Sequence, residues 1–458
     1  YKHFIDDCLA GKEHTLSEKE EALLAKASQM STVPDEVFSK FNNADVKFGK
    51  VKRENGQEDE LTNGNFATFM ESQDRAVRKA AFEALYKQYG AYINTIAAAF
   101  YGNVKQAMFY ADARGYKSTL NMYLDGSFIP ENVYKNLIKT VNDNLDKMYC
   151  YVDIRKKALG VDELHFYDIY APMVEDIDWK ISYDEAKDIV VKALAPMGEE
   201  YVSHIKEGFN NGWVDVYENT GKRSGAFSWG AYGTHPYVFL NYSDTLNDVF
   251  TVIHEMGHAM HTYYSNANQP YIYAGYKIFV AEVASTCNEA ILMQYMLKNT
   301  DDEKKKRYLL NHFFEQFKGT LYRQTMFAEF EMEAHAKAEH GEVLSAESLC
   351  AMYKKLNEKY FGPDMVIDDE IALEWARIPH FYTPFYVYQY ATGYSAAIAI
   401  STKILAGDEQ VIAGYRKFLS GGSSMHPIEL LKLCGIDMTR PDVVQEALDV
   451  FGELLKQW

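Results

Sequence analysis

Apolar positions recur at helical spacing along most of this chain. Val249, Val252, Ile253, Met256, Ala259, Met260 and Tyr263 lie three and four residues apart and predict a helix opening just after Thr245. Thr245-x-x-Asp248 reads as a capping box with aspartate in the usual glutamate place, and the run from Ser265 to Pro270 supplies the stop. Nearer the start, Val77, Ala80, Ala81, Leu85 and Tyr89 predict a long helical tract opened by Thr62 or Asp74. Strand-like patterns are few. Val46 to Val51 and Glu58 to Leu61 flank Asn55-Gly56, a hairpin turn pair. Tyr237 to Tyr242 follows a segment rich in glycine and aromatics, Ser224 to Gly233, and Pro236 to Asn241 reads as an exposed strand edge. Farther on, Thr383 as N-cap and Pro384 at the first helical position predict a helix ending near Gly407, with Tyr386, Tyr390 and Tyr394 in one stripe. The fold class expected is mainly α, with an N-terminal hairpin and one edge strand as its small β elements.

The chemistry concentrates in the helix after Thr245, which carries His254-Glu255-Met256-Gly257-His258. Residues four apart share a helix face, so both imidazoles can reach one tetrahedral zinc ion, while Glu255, one step round, can act as general base toward a water that the ion polarises. Gly257 goes against local preference, because glycine inside a helix costs about 1 kcal/mol relative to alanine. It makes sense where another backbone must come close. Catalytic zinc takes three protein ligands. Between Ala259 and Ala281 there is no carboxylate and the only histidine is His261, too near on the same helix to close a tetrahedron comfortably. Tyr264 stands where a metzincin needs histidine. The first carboxylate is Glu282, in an apolar stretch running on to Met293, where an unpaired charge would be expensive. Glu282 is the third ligand expected, and Glu289, one or two turns on, either holds a ligand histidine by its other ring nitrogen or faces solvent. His380 and the stripe of Tyr386, Tyr390 and Tyr394 offer the imidazole and hydroxyl donors that a tetrahedral oxyanion requires.

His254 to His261, Phe279 to Thr286, Ser224 to Trp229 and His380 to Tyr394 together resemble oligopeptidase F, a branch of the thimet oligopeptidase family of zinc metallopeptidases. The resemblance covers nearly the whole chain. It implies a large helical, hollow protein whose deep central channel admits short unstructured peptides and excludes folded proteins. It further implies one Zn2+ per chain on His254, His258 and Glu282, Glu255 as general base, and substrate and oxyanion roles for His380, Tyr386 and Tyr390. The thimet-type pattern sets its first tyrosine five residues after the histidine; here that position is Phe385, and Tyr386 follows. The chain opens at Tyr1, in a segment similar to the middle of the family's N-terminal part. Residues 1–60 are accordingly expected to be a remnant of an N-terminal helical and hairpin region, and residues 61–458 the catalytic domain.

Composition narrows the alternatives. A net charge of −18 argues against nucleic acid or an anionic membrane surface as partner. Five scattered cysteines without a C-x-x-C indicate neither a disulfide framework nor a structural zinc module. No signal peptide or membrane span is visible, which points to the cytoplasm. Asn241-Tyr242-Ser243 matches a glycosylation pattern, but a glycan beside the zinc helix would block the site. The function expected is a zinc-dependent endopeptidase for short oligopeptides. The rivals are a catalytically silent peptide-binding homologue and a carboxypeptidase or dipeptidyl carboxypeptidase of the same fold.

Overall fold

The computed structural model describes residues 1–175, 177 and 179–458. Helices build most of it, and the strands are two or three residues long. The opening hairpin pairs Lys50–Lys52 with Glu58–Glu60, Val51 facing Asp59, and Gly56 turns the chain at φ 83°. Asp74 then caps the helix Arg75–Ala91 by accepting the Ala76 N–H at 2.8 Å. Val77, Ala81, Leu85 and Tyr89 of that helix are buried as their spacing predicts, whereas Ala80 faces outward.

The second β element differs from expectation. Tyr237–Phe239 is the middle strand of a three-stranded sheet, parallel to Val214–Asp215 on one side and antiparallel to Phe227–Trp229 on the other. Its second side is occupied because the Val238 and Leu240 N–H groups donate to the Trp213 and Asp215 carbonyls at 2.8 and 2.9 Å. The segment from Pro236 to Asn241 is therefore not the exposed edge. An outer strand is Phe227–Trp229, with Trp229 64% exposed.

Three long helices form the centre. Leu246–Asn268 packs against Ile278–Lys298, which packs against Tyr388–Leu405, and Asp442–Leu455 lies against the last of these. Ile278–Lys298 buries Phe279, Val280, Val283, Cys287, Ile291 and Leu292, so apolar residues surround it as in a helix covered on all sides. Among the described residues no helix is long and apolar enough to cross a membrane.

The start of the helix Tyr388–Leu405 is also corrected. Thr383 and Pro384 do not open it: Pro379–Tyr382 forms a 3-10 turn, Phe385 sits in the left-handed region at φ 56°, and the helix begins three residues later. The Thr-Pro signal loses to a tertiary contact. The buried Glu331 carboxylate accepts the Phe385 N–H at 2.9 Å, and the Phe385 ring packs against His335 and Tyr134. Tyr386 consequently precedes the helix instead of lying on its stripe. At the other end the chain turns at Gly407 with φ 78°.

Candidate metal centre

The capping box forms as the sequence predicts. Thr245 Oγ1 accepts the Asp248 N–H at 3.2 Å, and Asp248 Oδ2 accepts the Thr245 N–H at 2.9 Å. This start places His254 and His258 on the helix face turned to Ile278–Lys298. Gly257 allows the approach: a Cβ there would lie 2.6 Å from Ser285 Cα and 2.8 Å from the Ala284 carbonyl oxygen. The glycine that a solitary helix would not favour is required by the neighbouring backbone.

Across that contact Glu282 Oε2 lies 3.5 Å from His254 Nε2 and 3.4 Å from His258 Nε2. One ligand atom from each of the three residues lies within 4.8 Å of the others. Ligands about 2.0–2.1 Å from a tetrahedral zinc stand about 3.3–3.4 Å apart, so the donors have both the chemistry and the spacing of a zinc site. Ser285 Oγ donates to Glu282 Oε2 at 3.0 Å and fixes that carboxylate. Behind His254, Nδ1 is 2.5 Å from Glu289 Oε1, and Gln316 Nε2 donates to the other Glu289 oxygen at 2.9 Å. This chain of contacts sets the imidazole's tautomer and orientation and leaves Nε2 facing Glu282.

The electrostatics agree with the geometry. Burial alone would depress His254, but the Glu289 carboxylate on Nδ1, with Glu282 and Glu255 nearby, overrides it and lifts the imidazole to about 9. Burial alone would raise Glu282, but His258 and His254 hold it down at about 2. A place that draws a proton onto a histidine through three carboxylates is a place of negative potential, which attracts a divalent cation equally. Glu255 is 7% exposed, and its Oε2 is buried with no hydrogen-bond partner among the described residues. Burial pushes its carboxyl up. His261 is fully buried, stacks on Tyr276 at 3.7 Å and is driven to about 3 by burial, which makes it a neutral core residue.

His380, Tyr386 and Tyr390 form a second cluster. The His380 and Tyr386 rings lie 6.2 Å apart, those of His380 and Tyr390 6.0 Å, and those of Tyr386 and Tyr390 5.5 Å. The cluster joins the first through the helix Tyr388–Leu405, on which a Gly393 Cβ would lie 4.0 Å from Glu282 Cβ. Burial is the main force raising the Tyr390 hydroxyl, and the Glu282 charge adds to it. Burial, then the Arg323 charge, lowers His380 and favours its neutral form. Tyr394 departs from the stripe: it is buried, with its ring edge-on to Phe317 at 5.1 Å. A cavity of about 920 Å³, lined by Arg155, Tyr170, His312, Glu315 and Arg323 among others, adjoins the His254 helix, where His312 stacks on Phe250 at 4.8 Å. Gln316 and Ser285 were not legible as supporting residues, because neither stands in a spacing that marks them.

Two histidines and a glutamate converging from adjacent helices, with a second glutamate free beside them, define a helical peptidase of the H-E-x-x-H class. Comparison with known proteins is specific. The model of peptidase family M3 matches residues 68–450, and that of oligopeptidase F matches residues 1–48. The chain is 52% identical over 457 residues to oligopeptidase PepF of Bacillus subtilis, spanning all of this chain and 68% of that protein. It is 44% identical over 455 residues to group B oligopeptidase PepB of Streptococcus agalactiae, covering 99% of this chain and 76% of the relative. The crystal structure of oligoendopeptidase-F from Enterococcus faecium superposes with a TM-score of 0.85 at 37% identity, over the whole of this chain and 77% of the other. The chain belongs to peptidase family M3, in its oligopeptidase F branch.

Proposed function

We propose that this peptidase is a zinc-dependent endopeptidase of short, unstructured oligopeptides, with one zinc ion on His254, His258 and Glu282. The observation that carries the reading is the donor spacing of 3.4 and 3.5 Å between one carboxylate oxygen and two imidazole nitrogens, with Glu289 already seated on His254. His254, His258 and Glu282 would hold the zinc ion, which would polarise the peptide carbonyl and lower the pKa of a water beside it to about 7. Glu255 accepts the proton of the attacking water and passes it to the leaving amine. The neutral His380 and the hydroxyls of Tyr386 and Tyr390 donate to the oxyanion as it forms. The outer strand Phe227–Trp229 packs on the His254 helix and offers backbone partners to an extended peptide without regard to side-chain sequence.

The buried, unpartnered Glu255 also supports turnover over silent binding, since a protein that only binds peptides has no use for that carboxylate. Hydrolysis of an internally quenched fluorescent peptide, measured with chelator and after zinc is restored, tests the reading. Chelator-sensitive cleavage is expected, and its absence from zinc-loaded protein overturns it. Products from peptides with free and amidated C-termini separate endopeptidase from carboxypeptidase action, because an exopeptidase requires the free carboxylate.

A further inference from the structure

We propose a second metal site, formed by His3, Asp7 and His426, which ties the first helix of this chain to its C-terminal part. The helix Lys2–Ala10 buries none of its residues, and Phe4, Ile5 and Leu9 on it are about half exposed. Polar contacts join it to the C-terminal part of the chain. His3 and Asp7 are one turn apart and face the same way. His426 arrives from the residue preceding the helix Pro427–Lys432 and sets Nε2 2.9 Å from Asp7 Oδ1. His3 Nδ1 lies 3.6 Å from the same oxygen, and the two imidazole rings are 4.8 Å apart.

The three donors lie within 4.8 Å of one another, a convergence that the chain shows elsewhere at His254, His258 and Glu282. The distances of 2.9 and 3.6 Å bracket the separation of about 3.3–3.4 Å between ligands of tetrahedral zinc. The His426 ring is fixed in place, since Phe128, held at φ 57°, lies flat on it with centroids 4.1 Å apart and planes 7° from parallel. A cavity of about 130 Å³ adjoins the cluster, lined also by Tyr273, Lys277 and Ser423. All three donors are only partly buried, which leaves solvent to complete a coordination sphere. Two imidazoles and one carboxylate suit zinc over calcium or magnesium, which prefer oxygen ligands alone.

The consequence concerns the segment between the two helices of the catalytic centre. Phe4 N–H donates to Tyr273 Oη at 3.2 Å, and the Tyr273 carbonyl accepts the Ser423 N–H at 2.8 Å. The short helix Tyr271–Ala274 lies just before Ile278–Lys298, which carries Glu282. A zinc ion on His3, Asp7 and His426 clamps the first helix over this turn and anchors it from both sides.

A metal-free Asp7–His426 hydrogen bond needs no His3, and that difference sets the test. Chelator-stripped protein is titrated with zinc against a chromophoric competitor at micromolar free zinc, comparing wild type with His3→Ala and His426→Ala. Wild type is expected to bind one equivalent more than either variant, with peptide hydrolysis by the variants unchanged. Equal stoichiometry in wild type and His3→Ala overturns the site. The count is a difference between proteins, so it holds whatever the fate of the catalytic zinc reading. Tryptic cleavage at Lys12 reports the clamp: zinc is expected to slow it severalfold in wild type and not in His426→Ala. Cleavage indifferent to zinc in wild type overturns the clamp.

Discussion

Replacing Gly257 with alanine separates the helix from the site it builds. By intrinsic preference the substitution stabilises a helix by about 1 kcal/mol. In this protein the new Cβ would stand 2.6 Å from Ser285 Cα, 2.8 Å from the Ala284 oxygen and 3.0 Å from Ser285 N. All three are backbone atoms, so no side chain can swing aside. Restoring an ordinary contact of about 3.5–4.0 Å requires the two helices to part by about 1 Å at this point. Overpacking of this kind costs about 1–3 kcal/mol, which cancels or exceeds the gain in propensity. The proposed zinc site responds more sharply. His258 is the next residue and Glu282 lies one turn before Ser285, so the movement falls on the spacings of 3.4 and 3.5 Å. Metal sites tolerate about 0.2 Å in their ligand distances. The expected result is a loss of at least about tenfold in zinc affinity, equivalent to about 1.4 kcal/mol, by competitive titration. Urea denaturation of the metal-free protein should show it no more stable than wild type. A variant that binds zinc like wild type and gains about 1 kcal/mol of stability refutes the close-approach argument.

Three further outcomes are expected. Glu255→Gln keeps its zinc content by elemental analysis and loses about 10²–10⁴ in kcat, the usual share of a general base; near-normal turnover refutes the assignment. Tyr390→Phe loses about 10²–10³ in kcat if its hydroxyl meets the oxyanion, while Tyr394→Phe, in the core, leaves kcat near wild type. The reverse pattern in steady-state kinetics would move the oxyanion role along the helix. Burial pushes Glu331 up to about 8, well above the value near 4.3 of an unfolded chain. The unfolded state thus releases this proton first, so the contribution is complete below about pH 4 and is lost as pH rises through about 8. Urea midpoints should fall from pH 5 to pH 8 in wild type relative to Glu331→Gln, and parallel midpoints would show that Glu331 is ionised in the fold.

The sequence revealed what a single helix writes locally and obscured what distant segments impose. His254 and His258 were legible because a four-residue spacing fixes their shared face whatever packs nearby. Glu282 was legible for a different reason, since a carboxylate in an apolar run needs a partner. The tyrosine segment misled because Thr383-Pro384 is a sound helix start by local rules. Glu331, 54 residues earlier, captures the Phe385 N–H and holds that residue in a left-handed conformation which no neighbouring residue signals. A bulky residue there carries a strain of about 1–3 kcal/mol, so the fold around Glu331 outweighs the local preference. The expected edge at Pro236 to Asn241 misled in the same way: Val214–Asp215 carries only two residues of pairing, too short to show a pattern, yet it moves Tyr237–Phe239 from the edge to the middle. The donors expected on zinc are set by local periodicity and one close helix contact, whereas the groups expected around the substrate are set by contacts between segments far apart in the chain. A substitution at Glu331 or along Trp213 to Asp215 should therefore disturb how peptide is held before it disturbs how metal is bound.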